Sequence, residues 1–300
     1  MGRSITVVGS ANLDIVVPVP HHPSRGETVL GGDHSQIPGG KGANQAVAAA
    51  RLGTDVTFIG CIGDDAAGIT LRKSLQDSGV DTSRLNVAAG VPSGIALITV
   101  GPDGDNTIVV SPGANAHLTP DDIMKNTSSL RDTVTLLQLE IPLETTLRAA
   151  LTATGVVILD PAPAPADGLP SELLEAIDII APNETELALL AKRSIDTSDL
   201  DDIIDAARSL AVETVVVTLG GRGALVVGEV TAHLPAPSVE AVDTTAAGDA
   251  FRGALATQVA LGRNILDSAS YATRVGSATT LRFGAQPSLP TADELDELLS

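Results

Sequence analysis

The run Asp243-Thr244-Thr245-Ala246-Ala247-Gly248-Asp249-Ala250-Phe251 carries the sharpest chemical signal in the chain. Small residues lead into a helix, so Ala246, Ala247, Gly248 and Asp249 would present successive free N–H groups at the positive end of the helix dipole. That is an anion hole suited to a phosphoryl group acquiring charge, and Asp249 stands in it as a candidate base. Taken alone, a Gly-Asp pair there reads as a helix-stabilising acid. Its company argues otherwise. Pro38-Gly39-Gly40-Lys41-Gly42-Ala43-Asn44-Gln45 puts three glycines before a second helix, clearing Cβ atoms where a ligand must approach backbone. It lacks the GxxxxGK[ST] spacing of a Walker A loop. Asn44, one turn in, can donate and accept at once, as sugar hydroxyls require.

Further polar residues fall just after apolar strands, where open α/β sheets bind ligands. Asn12 and Asp14 follow the strand at Ile5, Glu140 follows Leu136 to Leu139, Asp160 follows Val156 to Leu159, and Asn183 with Glu186 follows Ile179 to Pro182. Each alone could be a cap or turn residue. The loop Thr218-Leu219-Gly220-Gly221-Arg222-Gly223 exposes backbone after another strand, although an ordinary tight turn has the same composition. No third ligand is spaced with His21 and His22 for zinc. Cys61 reads as a small core residue.

The elements that must position these groups follow from periodicity. The segment from Asp14 to Pro38 has no helical period and reads as strands projecting from the main sheet. Two β-rich runs, 94–100 and 106–110, flank Pro102-Asp103-Gly104-Asp105 and predict a hairpin that pairs with those strands as a lid. Helices are expected from Gly42 to Leu52 and over 65–78, the latter with Asp64 as the N-cap candidate. Strand 134–139, helix 143–154, strands 156–159 and 177–180, helices 184–191 and 199–211 and strand 214–219 then alternate. A β pair, 224–227 and 229–234, precedes helices near 248–261 and 265–281. This pattern predicts α/β architecture: a mostly parallel central sheet, helices on both faces, and no internal domain boundary. The Pro/Ala run 161–165 follows a strand and reads as the floor of a strand-end loop.

The chain has 300 residues, 43% of them hydrophobic but only 1% aromatic, so Val, Ile, Leu and Ala must fill the core. Eighteen basic and 37 acidic side chains give a formal charge of −19, which argues against nucleic acid as a partner. The same field repels ATP, so a site for it needs local positive potential. A lone cysteine, no signal-peptide layout and no membrane-length apolar run predict a cytoplasmic protein without a membrane partner.

GSANLD at 9–14, GGKGANQAVAAA at 39–50, QLE at 138–140, PNETE at 182–186, TLGGRG at 218–223, DTTAAGD at 243–249 and GAQPS at 284–288 occur in order over nearly the whole chain. On these motifs the sequence is identified as a member of the PfkB carbohydrate kinase family, and GGKGANQ and GAQPS resemble its ribokinase branch. The resemblance implies a ribokinase-like core with a small β-sheet lid from about 14–38 and 92–111, often the homodimer contact. It implies ATP and Mg²⁺ as phosphoryl donor and D-ribose 5-phosphate with ADP as products. Asn12, Asp14, Gly40, Lys41, Asn44 and Glu140 would hold the sugar, and Asp249 would face its 5-hydroxyl. Asn183 and Glu186 match the motif that organises metal and phosphates. Thr218, Gly220, Gly223 and Gly248 would line the nucleotide, with adenine toward Thr273. A monovalent cation, usually K⁺, would lie among Asp243, Thr245, Thr279, Arg282, Gly284 and Ser288.

Three positions depart from the family. Arg252 stands where Asn is common, Arg274 where a small residue is usual beside adenine, and Thr273 where Asn or His is frequent. The rival expectations are a kinase of the same family acting on deoxyribose, fructose or a nucleoside such as adenosine, and a silent sugar-binding protein on the same fold. An NAD-dependent dehydrogenase lacks its GxGxxG after the first strand.

Overall fold

The computed structural model describes residues 4–131 and 133–300. In chain order the first elements are β1 (Ser4–Val8), β2 (Asn12–Pro18), β3 (Ser35–Gly39), α1 (Lys41–Arg51), β4 (Asp55–Gly63), α2 (Ala66–Asp77) and β5 (Leu85–Ala88). Then come β6 (Gly94–Val100), β7 (Asn106–Ser111), α3 (Pro120–Lys125), β8 (Val134–Leu137), α4 (Leu143–Thr152), β9 (Val157–Leu159) and α5 (Ser171–Glu175). The chain continues through β10 (Ile179–Ile180), α6 (Glu184–Leu190), α7 (Leu200–Arg208), β11 (Thr214–Thr218), β12 (Ala224–Val227) and β13 (Thr231–Leu234). It closes with α8 (Ala247–Ala260), α9 (Ile265–Thr279) and α10 (Glu294–Leu298).

Nine strands form one sheet in the order β13-β12-β11-β10-β9-β8-β1-β4-β5. Every pairing from β11 through β5 is parallel, and only the β11-β12-β13 edge is antiparallel. From β1 the chain first builds toward β4 and β5, then returns to lay β8 on its other side. The strand order therefore reverses between β1 and β8, which opens a crevice at their carboxyl ends. The Val, Ile and Leu of these strands are buried on both faces, as a parallel sheet between helical layers requires. One apolar cluster packs α1, α8 and α9 on one face, and a second packs α3 to α7 on the other.

The helical layer over the crevice is built largely from Ala and Gly, which lets its helices approach closely. A Cβ on Gly253 of α8 would lie 2.7 Å from the Gln45 carbonyl oxygen and 2.8 Å from the Ala48 Cβ of α1. Only glycine permits this contact, and the contact brings the first turns of the two helices together.

A second sheet, in the order β3-β2-β6-β7, stands apart from the first. The hairpin β6-β7 joins β2 in parallel register, Asn12 opposite Gly94 through Pro18 opposite Val100. All six residues of β7 are exposed.

Several sequence expectations need adjustment. The cap of α2 is Asp65, whose carboxylate accepts from the Gly68 N–H at 2.8 Å, while Asp64 instead accepts from Gly90. β8 ends at Leu137 and β13 begins at Thr231, each shorter than its apolar run, and α1 begins at Lys41, one residue before the expected Gly42. The Pro/Ala run does floor a strand-end loop: the Ala162 carbonyl accepts from Leu139 N–H at 3.0 Å. β5, α3, α5 and α10, each of six residues or fewer, carried too little periodicity to be read.

Candidate active site

Asp249 sits in the first turn of α8 and is 7% exposed. Its two oxygens accept from Asn44 Nδ2 at 2.9 Å and Gln45 Nε2 at 3.1 Å, both from α1. The close α1–α8 packing at Gly253 is what makes this reach possible. Gln45 Nε2 also donates to Asp160 at 2.7 Å, and Gln138 donates to Gln45 at 2.6 Å. Carboxylates after β9 and in α8 are thus tied through one amide. Gln45, Gln138 and Asp160 all have zero exposure, which makes them part of the support rather than of a binding surface.

At the front of α1, Glu140 accepts from Ser10 Oγ at 2.6 Å and from the Lys41 N–H at 3.0 Å. Gly40 is the residue before this helix, at φ +87°, and a Cβ there would come 2.6 Å from the Asn12 amide nitrogen. Both facts demand glycine. Asn12 is buried, with its Oδ1 accepting from Asn115 Nδ2 at 2.7 Å. Asn115, at the foot of the hairpin β6-β7, was not singled out by the sequence and had no motif to reveal it.

Charge is concentrated here. Burial pushes the Asp14 carboxyl up to about 7, with repulsion from Glu140 and Asp249 adding to it. Burial likewise pushes Asp160 up to about 7, although Arg252 and Lys41 pull against it. Burial opposes the charge on Lys41, but Asp249, Asp160 and Glu140 outweigh that and hold its pKa above the usual lysine value. The ammonium is therefore a fixed positive charge among these carboxylates.

Two cavities flank the segment 241–248, and Ala241 and Thr244 line both. The first, of about 590 Å³, is bordered by Asn183, Thr218, Gly220, Gly223, Gly248 and Thr273, which brings together nearly every residue expected to hold a nucleotide. Ser238, Phe251, Arg252, Gly276 and Ser277 also line it. Glu186 does not line it. Instead Asn183 and Glu186 form a reciprocal cap on α6, with the Asn183 N–H donating to Glu186 at 2.8 Å and the Glu186 N–H donating to Asn183 at 2.8 Å. The second cavity, of about 620 Å³, lies between the small sheet and the 283–285 turn. Among the expected sugar ligands only Asp14 lines it; the others gather at the start of α1.

Of the expected anion-hole amides, Ala247 N–H donates to the Thr244 carbonyl at 3.2 Å, because Ala246 takes a left-handed turn at φ +61°. The Gly248 and Asp249 N–H groups have no acceptor among the described residues.

Asp243 closes the turn before α8: its oxygens accept from Thr245 N–H at 2.9 Å and Gly284 N–H at 2.8 Å. Burial disfavours its charge, but these bonds hold its pKa below the usual value. Ser288 Oγ donates to the Ala285 carbonyl at 2.8 Å, and the Thr279 carbonyl takes a long bond of 3.5 Å from Arg282 N–H. Arg274 pairs with Asp296 at 2.7 Å and lies outside the nucleotide-sized cavity, so the departure at this position leaves that cavity unchanged.

Known proteins resolve what kind of cradle this is. Residues 3–292 match the pfkB family of carbohydrate kinases. The chain belongs to that family. It is 38% identical to a ribokinase of Haemophilus influenzae, covering 100% of this chain and 99% of the relative. Its fold superposes with a TM-score of 0.89 on the ribokinase of Thermotoga maritima, 37% identical with 99% of each chain covered. It superposes equally, TM-score 0.89, on an Arabidopsis thaliana ribokinase complexed with ribose and ATP, 32% identical and covering 100% of this chain and 99% of the other.

Proposed function

We propose that the protein transfers the terminal phosphoryl group of ATP to the 5-hydroxyl of D-ribose, giving D-ribose 5-phosphate and ADP. The observation that carries this reading is the placement of Asp249. It is a buried carboxylate aligned by Asn44 and Gln45, next to unpartnered helix amides of which Gly248 borders the nucleotide-sized cavity, and it follows the segment 241–245 that lines the second cavity under the small sheet. Ribose and ATP bound to an Arabidopsis relative of the same fold support the assignment of the two ligands.

Asp14, Lys41, Asn44 and Glu140 offer acceptors and donors to the sugar, with Gly40 and Asn12 shaping the approach. Phosphoryl transfer proceeds through a loose transition state that asks the protein mainly for alignment and charge neutralisation. Asp249 orients the hydroxyl and takes its proton late, so a carboxylate at a helix N-terminus is basic enough. The Gly248 and Asp249 N–H groups receive the charge on the transferring group.

The Mg²⁺ that accompanies ATP would be held mainly by the substrate phosphates and water. Asn183 and Glu186 hold the strand-end turn against which those phosphates would lie. K⁺ fits the oxygen-rich turn of Asp243, Thr245, Thr279, Arg282, Gly284 and Ser288, whose donors are a carboxylate, a hydroxyl and carbonyls; bound there it would brace the start of α8. The small sheet acts as the lid over the sugar, and the exposed apolar strand β7, with Ile108, Val109 and Val110, forms a homodimer contact. No helix among the described residues is long and apolar enough to cross a membrane, and a cytoplasmic setting accords with the ATP and ribose reading.

The test is ADP release from Mg·ATP with ribose, deoxyribose, fructose and adenosine in turn, with and without K⁺. Ribose-dependent release stimulated by K⁺ is the expected outcome. Equal or greater release with another acceptor would reassign the sugar pocket, and ligand binding without release in any case would favour a silent sugar-binding protein.

A further inference from the structure

Arg252 lies one turn after Asp249 on α8, so the two side chains occupy the same face of that helix. It is only 4% exposed, yet it borders the nucleotide-sized cavity. Its Nε donates to the Ala181 carbonyl at 3.0 Å and lies 2.8 Å from Asp160 Oδ1. Nη2 reaches Glu186 Oε2 at 3.4 Å. Nη1 has no acceptor among the described residues, and a methyl group on Gly248 would lie 2.6 Å from it. The guanidinium is held from behind by two carboxylates and a carbonyl, with one donor left against the backbone of the anion hole.

We propose that Arg252 is a catalytic residue of this chain, its Nη1 donating to the oxygens of the phosphoryl group in transit, beside the Gly248 and Asp249 amides. The inference rests on the nucleotide reading of the cavity given above. Its physical reason is charge. Asp14, Glu140, Asp160, Glu186 and Asp249 crowd the site, and the cations that act within this cluster are Lys41 and Arg252. Lys41 stands at the sugar side, so Arg252 supplies positive potential on the phosphate side of a protein whose net charge of −19 repels ATP. Asn, common at this position in the family, would bring a hydrogen bond without charge. In the transfer itself the bond from phosphorus to the oxygen bridging the β- and γ-phosphates breaks, the bond to the 5-oxygen forms, the hydroxyl proton passes to Asp249 and ADP leaves. Arg252 stays protonated throughout.

The experiment measures, on the full chain with Mg²⁺, the affinities for AMP and for the β,γ-imido analogue of ATP by calorimetry, alongside kcat and KM for ribose. The variants are Arg252→Lys and the double change Asp160→Asn with Arg252→Met. The double change removes both partners of the buried Arg252–Asp160 pair, and Glu186, which also loses Arg252, keeps its bond from the Asn183 N–H. For the double variant we expect imido-analogue affinity to fall about 10- to 100-fold and kcat by on the order of 10², with AMP affinity and ribose KM within about twofold of the parent. Lysine should retain part of both. Imido-analogue affinity unchanged within about twofold, or AMP affinity lost to the same degree as the analogue's, would overturn the proposal and leave Arg252 a scaffold residue. If the parent protein binds neither nucleotide, the reading of the cavity fails and takes this inference with it.

Discussion

The two cavities that meet along residues 241–248 are built on opposite plans. The nucleotide-sized one is walled by strand-end loops and helix starts of the central sheet, and the carboxylates beside it are clamped by Gln45, Asn44 and Arg252 at 2.7 to 3.1 Å. The second borrows Val16, Ile37, Ile98 and Ile108 from the small sheet, whose outer strand β7 is exposed along its whole length. On the function proposed above, chemistry is held by buried polar bonds within the core, while enclosure of the sugar is left to a sheet whose outer strand is exposed. A group that must keep its geometry through phosphoryl transfer gains from the first plan, and a wall that must open for ribose needs the second.

The comparison breaks most completely at Asp249. Asp249→Asn should lower turnover by on the order of 10² or more while calorimetric ribose binding is largely kept; near-parental turnover would show that the core carboxylate is not the base. Gly253→Ala attacks the same plan indirectly, by pushing α1 away from α8. Overpacking there should cost about 1–3 kcal/mol, read from urea midpoints, and lower turnover because Asn44 and Gln45 lose register with Asp249. A variant of parental stability would show that the contact relaxes freely.

The lid side should respond differently. Shortening the β6-β7 hairpin should leave the melting temperature nearly unchanged and raise the ratio of ATP hydrolysis to sugar phosphorylation, since water is no longer kept out. An unchanged ratio would remove the gating role. The smallest effect concerns Asp14, whose carboxyl burial raises from 3.8 to about 7. The folded protein then holds this proton more tightly than the unfolded chain, so its stability contribution is full below pH ~4 and is lost as pH rises through about 7. Asp14→Asn should flatten the decline of urea midpoints across that window, and an unaltered slope would place the titration elsewhere.

How much of this was legible in the sequence depends on scale. The alternation after residue 134 announced the parallel sheet, and the short β-branched runs with Pro-Asp-Gly-Asp announced the hairpin, because period and turn chemistry are local. Strand-end position drew attention to Glu140, Asp160 and Asn183, and the small-residue helix start to Asp249, before any contact was known. Gln45 and Gln138 carried no such mark: a glutamine becomes a tether only when Gly253 lets two helices approach, a fact of tertiary packing. Arg252 stood out as a departure, but its pairing with Asp160 and Glu186 joins three segments and could not be read from spacing. The left-handed turn at Ala246, which diverts the Ala247 amide to Thr244, was hidden for the same reason. Asp64 and Asp65 both satisfy the cap pattern, and only the backbone geometry chooses between them.

The most direct test of the account is the identity of the product formed from Mg·ATP and D-ribose, followed by phosphorus NMR with proton coupling. The account predicts a single phosphomonoester on the 5-carbon, split by its two methylene protons and formed in step with ADP. Phosphate on the anomeric oxygen, or ADP formed without a sugar ester, would contradict the placement of the 5-hydroxyl at Asp249.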